Sequence, residues 1–330
     1  MPATIAAAGS GAIRCSSGRA SRYRNKSTVA DRTTERYSDP RNRAAPLRGT
    51  GGRVTNNDHK ENRTLSGNLL DDPSDPKFVT ALARGLALLR AFRDDEVYLS
   101  NQSFATRTGL PKTTVTRLTY TLCKLGYLVQ GDPGGEYRLG PGVLTLGHGV
   151  LAGMEIKDRA QLELADICRG DNPHVAAALG ERFGQSVVYL ATHRSPNSVS
   201  MVFHLGAQVP LFYSSIGRAI LMGLPEDEQD ALLDDALRAA EPADHLRLKA
   251  GLSRARDDFT RYGFCTSFSD WRKEINGIAV PVRAAQGGSL YAINVGGFAF
   301  LNPAETLIDI YAPRLIQAAQ TLSQRPQIDA

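Results

Sequence analysis

Between Pro111 and Leu125 the chain reads "PKTTVTRLTYTLCKL". At helical spacing Thr113, Thr116, Arg117, Tyr120 and Lys124 share one stripe, with Lys112 and Thr114 beside it. Short hydroxyls next to guanidinium and ammonium groups suit contacts to phosphate oxygens and to base edges in a DNA groove. An ordinary solvated helix face is rich in Glu as well as Lys, whereas this span contains no acid. Two other groups of side chains carry reactive atoms. Ser214 and Ser215 in "YSSIGRA" have the hydroxyls of a nucleophile. However, no G-x-S-x-G elbow surrounds them, and Arg218, three residues on from Ser215, stands where an S-x-x-K site has its lysine. Arginine stays protonated and is a poor general base. His174, His193 and His204 with Cys168 and Cys265 are too irregularly spaced for a metal motif, and His148 stands alone. The sequence therefore points to no catalytic residue, no metal and no cofactor. A small-molecule hydrolase and a metal-responsive regulator remain the alternatives.

The elements that position the basic stripe are legible around it. Val79, Leu82, Leu86 and Leu89 predict a first amphipathic helix, with Leu88 and Phe92 widening the stripe. Ser100 or Asn101 caps a short second helix carrying Phe104 and Ala105 inward, and Gly109-Leu110-Pro111 ends it and starts the third. In that third helix Val115, Leu118, Leu122 and Leu125 mark the buried stripe. Helix, tight Gly-containing turn and helix form a helix-turn-helix, whose last helix lies in the major groove. "YLVQ" and "EYRLG" around "GDPGG" predict a hairpin, a wing from which Arg138 reaches phosphate.

Charge supports this division. Residues 1–75 hold 13 Lys+Arg against 8 Asp+Glu, residues 76–140 hold 9 against 5, and residues 141–330 hold 17 against 21. A basic module before a larger, mildly acidic one is the footprint of a polyanion binder. Residues 1–75 lack apolar periodicity and are expected to be a disordered basic tail. Cys15, Cys123, Cys168 and Cys265 form no C-x-x-C pair, there is no signal-like N-terminus, and no apolar run nears the ~18–20 residues of a membrane span; a cytoplasmic protein is expected.

Residues 142–158 predict a linker helix whose broad apolar face, Val143, Leu146, Val150 and Met154 with Leu144 and Leu151, pairs with a second subunit. Beyond it, strands in "HVAAALG", "SVVYLATH", "VSMVFHLG", "GIAVPVR" and "LYAINVGGFAF" alternate with helices opening at "SSIGRAILMGL" and "LPEDEQDALL", then "HLRLKAGLSRARDDFTRYGF" and a terminal helix that Pro313 kinks. Hairpin-like strand pairs with flanking helices make this an α+β sensor domain over 159–325 rather than a doubly wound fold.

In order, "LARGLALLRAF", "GLPKTTVTRLTYTLCKLGYLV", "YRLGPGVLTLG", "PLFYSSIGRAILMGLP" and "GIAVPV…YAINVGG" resemble the IclR family of bacterial transcription regulators. The resemblance covers about Phe78 to Leu322. It implies a winged helix-turn-helix over 76–141, a dimerisation helix, and a C-terminal GAF-like α/β effector-binding domain. The implied assembly is a homodimer or homotetramer that regulates catabolic operons through a double-stranded DNA operator and a small organic acid, aromatic or short oxo. Matched position by position, it assigns the effector pocket to Met201, Val209, Ser215, Ile216, Ser267, Gly277, Asn294 and Gly296. Ser267 stands where many members have an acid, and Asn294 and Gly296 where serines are frequent. Trp271 and Arg272 in "SFSDWRKEIN" are expected as lid or cation contributors.

Overall fold

A computed structural model describes residues 75–93, 96–131, 135–195, 204–285 and 288–324. Apart from Asp75, the tail expected over 1–75 lies outside the described residues, as does Met201. The first domain packs α1 (Thr80–Leu89), α2 (Asn101–Thr108) and α3 (Lys112–Lys124) against a two-stranded wing, β1 (Leu128–Gln130) and β2 (Tyr137–Leu139). Ser100 caps α2 by accepting the Ser103 N–H, and Gly109 closes it at φ 69°. Phe104 fills the centre with Leu88, Val115 and Leu128, and its ring meets Phe92 edge-on. Leu99 bridges Tyr137, which gives the wing a third short pairing and buries the Tyr137 ring at its root.

Two expected core stripes turn out differently. Ala87 and Leu88 face the α1 interior, while Val79, Leu82 and Leu86 are exposed. The helix is apolar on two adjacent stripes, and α3 can cover only one. Leu125 caps α3 and is also exposed, so the buried line of α3 ends at Leu122.

Gly140 joins the wing to the next helix. A Cβ there would stand 2.3 Å from the Gly126 carbonyl oxygen, and the Gly140 N–H donates to Tyr127 O. Gly140→Ala must push the wing off the end of α3, an overpacking expected to cost about 1–3 kcal/mol. Chemical denaturation would show it as a lower midpoint at unchanged slope.

The helix expected over 142–158 is shorter. α4 (Pro141–Ala152) stops at Gly153, and α5 (Glu155–Ile167) belongs to the second domain, where Ile156, Ala160 and Leu164 are buried. α4 has no charged residue and no buried one. The second domain is one six-stranded antiparallel sheet in the order β5-β4-β3-β8-β7-β6. Its strands are β3 (Ala176–Phe183), β4 (Ser186–Arg194), β5 (Gln208–Pro210), β6 (Cys265–Phe268), β7 (Ile275–Arg283) and β8 (Leu290–Phe298). Part of the strand expected at "VSMVFHLG" lies outside the described residues. Of that segment, His204 to Gly206 are described and form a turn, and β5 begins beyond it at Gln208.

Strand alternation gives the sheet two apolar faces. Ala177, Leu179, Ile278, Ile293 and Val295 pack under α5 and the C-terminal α10 (Ala312–Ser323), which follows the one-turn α9 (Ala304–Thr306). Ala176, Ala178, Val187, Tyr189, Ala279 and Ala292 pack under α6 (Ser215–Met222) and α8 (His245–Tyr262), with α7 (Glu226–Ala239) outside them. In place of a sharp bend at Pro313, a π-helical turn, Leu307–Tyr311, precedes it. A proline lacks the N–H that a regular turn would use there.

Candidate functional site

α3 separates its two faces cleanly. Val115, Thr119 and Leu122 are buried, whereas Lys112, Thr113, Thr116, Arg117, Tyr120 and Lys124 are exposed and Thr114 is half-buried. The Thr119 hydroxyl donates back to Thr116 O, and Thr116 and Thr121 do the same to Lys112 O and Arg117 O, so these side chains lie along the helix. Lys124 Nζ sits 5.6 Å from the centre of the Tyr120 ring, which holds a cation over an aromatic face at the far end of the stripe. Arg138 is exposed on the wing, its guanidinium resting on Leu139 O.

In the second domain a cavity opens where the N-terminus of α6 meets β4, β6, β7 and β8. Its wall is built by Tyr189, Ser214, Ser215, Ser267, Trp271, Ile275, Asn276, Gly277, Asn294 and Gly296. Five of the residues expected in a pocket are thus brought together: Ser215, Ser267, Gly277, Asn294 and Gly296. Val209 and Ile216 are not on the wall. Both are buried in the core beneath α6, because β5 pairs Val209 with Val187 and the first turn of α6 directs Ile216 at Gly180. Arg272 is not on it either: it is exposed and lies 4.8 Å over the Trp271 ring.

Two close approaches shape this wall. Gly277 faces Gly296 across the β7–β8 ladder, and a Cβ at 277 would stand 3.0 Å from Ser215 Oγ. A Cβ at 296 would stand 2.4 Å from Asn276 O. The serine frequent at that position in the resembling family has no room in this backbone. The Ser267 hydroxyl donates to Tyr213 O at 2.7 Å, tying β6 to the segment that leads into α6. Ser214 is the α6 cap: its hydroxyl donates to Pro210 O and accepts the Gly217 N–H.

The loop over the cavity is held from behind. Arg218, 3% exposed, donates to Phe212 O, Thr266 O and Asp270 Oδ2. Arg254 takes Asp270 Oδ1, and Arg247 donates to Asp270 O and stacks on Tyr213. Ser269 begins the loop at φ 60°, outside the usual range for a residue with a side chain.

No histidine, carboxylate, lysine or cysteine lines the cavity. Burial pushes the Cys168 thiol up to about 12 and the Cys265 thiol higher still, which keeps both protonated and suits packing rather than ligation. Among the described residues no three of His, Cys, Asp and Glu lie together as a metal cluster.

Tyr189, Ile275 and Asn276 were missed by the sequence reading. Alternation in "SVVYLATH" already places Tyr189 with Val187 on one face. For Asn276 and for the buried role of Arg218, nothing in the spacing gave a signal.

The helix-turn-helix segment, residues 81–132, matches the family described as IclR helix-turn-helix domain, and residues 148–324 match that described as bacterial transcriptional regulator IclR C-terminal. The "Pca regulon regulatory protein" of Pseudomonas putida is 30% identical over 249 residues, 75% of this chain and 84% of that one. The "HTH-type transcriptional regulator TsaQ1/TsaQ2" of Comamonas testosteroni is 32% identical over 256 residues, 74% and 87% of the two chains. An IclR family transcriptional regulator of known structure from Brucella abortus superposes with a TM-score of 0.70 at 38% identity, covering 78% of this chain and 97% of its own.

Proposed function

The chain belongs to the IclR family of bacterial transcriptional regulators, and on that premise we propose an operator-binding protein whose paired subunits respond to a small organic acid in the α6 cavity. The observation that carries the DNA-binding half is the exposed face of α3, where Thr113, Thr116, Arg117, Tyr120 and Lys124 stand clear of the core with no acid among them. Thr113, Thr114, Thr116 and Arg117 are nearest the bases, while Lys112, Lys124 and Arg138 serve phosphates. Arg117→Ala is expected to cost about 1–3 kcal/mol of operator affinity and to relax specificity at one base position. Lys124→Ala weakens all sequences evenly and flattens the salt dependence. Titration of selected operators at several salt concentrations separates the two. Unchanged affinity and footprint for Arg117→Ala would remove that residue from the readout.

The acid half rests on the α6 N-terminus. α6 begins at Ser215 on the cavity wall, which brings the positive end of its helix dipole there, an arrangement suited to a carboxylate. Tyr189, Trp271 and Ile275 give apolar walls for an aromatic ring, the first choice of ligand. The cavity holds only about 20 Å³, against the ~300–1,000 Å³ of typical ligand pockets. Ligand entry therefore requires the Trp271 loop to move, and that loop's anchors on Arg218, Arg247 and Arg254 are what binding would shift. A ligand acts on DNA binding only through unequal affinity for the two arrangements. Calorimetry with organic acids and their neutral amides tests the reading. If amides bind as tightly as acids, or if Ser215→Leu leaves affinity intact, the assignment falls.

A further inference from the structure

Arg90 and Phe183 meet across the two domains. Arg90 caps the end of α1, and its Cζ lies 4.8 Å from the centre of the Phe183 ring at the tip of the β3–β4 hairpin. That is within the ~6 Å at which a guanidinium is attracted to an aromatic face. Neither side chain is explained by its own domain. The Arg90 guanidinium makes no hydrogen bond or ion pair among the described residues. Phe183 belongs to neither apolar core of the effector domain, and it is 48% exposed.

Each residue is joined to the working part of its domain. Arg90 follows Leu88, which shares one core with Val115 and Leu122 of α3, so the end of α1 moves with the helix assigned to DNA. On the other side, the hairpin turns through Gly184 at φ 61° and pairs Phe183 with Ser186. The Gln185 carbonyl accepts the Leu211 N–H at 3.0 Å, and the Gln185 side chain donates to Leu232 O. These bonds tie the tip to the segment entering α6 and to α7. Further along β4, Tyr189 lies on the cavity wall.

We propose that the Arg90–Phe183 pair clasps the winged domain to the effector domain of its own chain, so that the β3–β4 hairpin sets the direction in which α3 is presented. It rests on the operator reading above, because direction matters only when two winged domains must meet two half-sites at a fixed spacing. The clasp therefore acts on the choice of spacing and leaves contact with a single half-site alone. Through Gln185 and β4, a change at the cavity wall has a mechanical route to the same pair.

The test uses the full chain and an operator selected with it from a random duplex pool. Wild type, Phe183→Leu, Arg90→Met and the double variant are titrated with that operator, with versions whose spacer is longer or shorter by a few base pairs, and with a single half-site. Both positions are exposed, so the variants are expected to fold. All four proteins should bind the single half-site alike. The penalty for a wrong spacer is expected to shrink about 2–5-fold per subunit in either single variant, the range an exposed cation–π pair supplies. The double variant should lose no more than the singles, since both remove one interaction.

Hydrogen exchange reads the clasp without DNA. Phe183→Leu should quicken the Arg90 and Ala91 amides, and Arg90→Met those of the β3–β4 hairpin, by a similar factor. A purely local loss of packing would not reach the opposite domain. If neither single variant changes spacer discrimination, or if the double variant loses the product of the two singles, the clasp is overturned. If no duplex is selected at all, the operator reading fails and exchange decides alone. Unmoved amides in the opposite domain would then overturn the clasp, and quickened ones would uphold it.

Discussion

Arg218→Met is expected to lower the stability of the effector-binding domain by about 3 kcal/mol or more. Breaking a buried ion pair by removing one partner typically costs about 3–5 kcal/mol. Arg218 is 3% exposed and Asp270 is on its edge, with side chain 22% exposed, so solvent can do little to replace the lost contact. Methionine fills most of the space but leaves Phe212 O and Thr266 O without the guanidinium N–H groups they accept. Arg254 still holds the other Asp270 oxygen, which places the loss at the lower end of that range. At ~2–4 °C per kcal/mol for a domain of this size, the melting temperature should fall on the order of 10 °C. Hydrogen exchange should quicken in Ser269–Glu274 before it does in the sheet, since that loop loses its anchor first. Arg218→Met with Asp270→Leu should lose less than the two singles together. A single variant melting within about 2 °C of the wild type would show that the pair contributes little.

The Arg218 contacts show why the fold was more legible than the site. Helix-turn-helix, wing, helix and sheet are written in periodicity and in Gly and Pro placement: Gly109 and Pro111 bracket the turn, and Ser100 caps α2 as its type requires. The cavity depends instead on which residues meet across the sheet. Gly277 reaches Ser215 only because β7 lies under the start of α6, and Asn276 reaches Asn302 across 26 positions. No local spacing encodes such a meeting. Resemblance located Ser215, Ser267, Gly277, Asn294 and Gly296 on the shared wall, but it also sent Val209 and Ile216 there, which strand register and helix phase turn into the core. Arg218, read from sequence only as a residue unfit to be a base, turned out to be the anchor of the loop. The stripe Val79, Leu82 and Leu86 misled for a related reason: periodicity reports an apolar face but not what covers it.

That uncovered face, together with α4, carries the last expected result: Leu144→Glu with Val150→Glu should turn the proposed dimer into a monomer and reduce operator affinity about 100-fold or more. α4 is a twelve-residue helix without a charge, and Leu144, Leu146 and Val150 are 75%, 57% and 55% exposed. Val79 and Leu82 on α1 are each 61% exposed. A water-soluble helix without a polar face is unstable alone, and a second copy of the chain meeting it through a two-fold axis would bury the same residues from both sides. Glutamates at both positions place like charges on that axis while leaving the effector-binding core untouched. Two linked binding helices gain roughly 10²–10⁴ in avidity over one, because the second half-site is met at high effective concentration. Sedimentation should therefore show halved mass, and operator titration should show a loss within that span with single half-sites bound as before. A variant that stays dimeric would place the subunit contact on some face other than α4. One that becomes monomeric yet keeps full operator affinity would mean that a single winged helix suffices, and that the operator is not read in pairs.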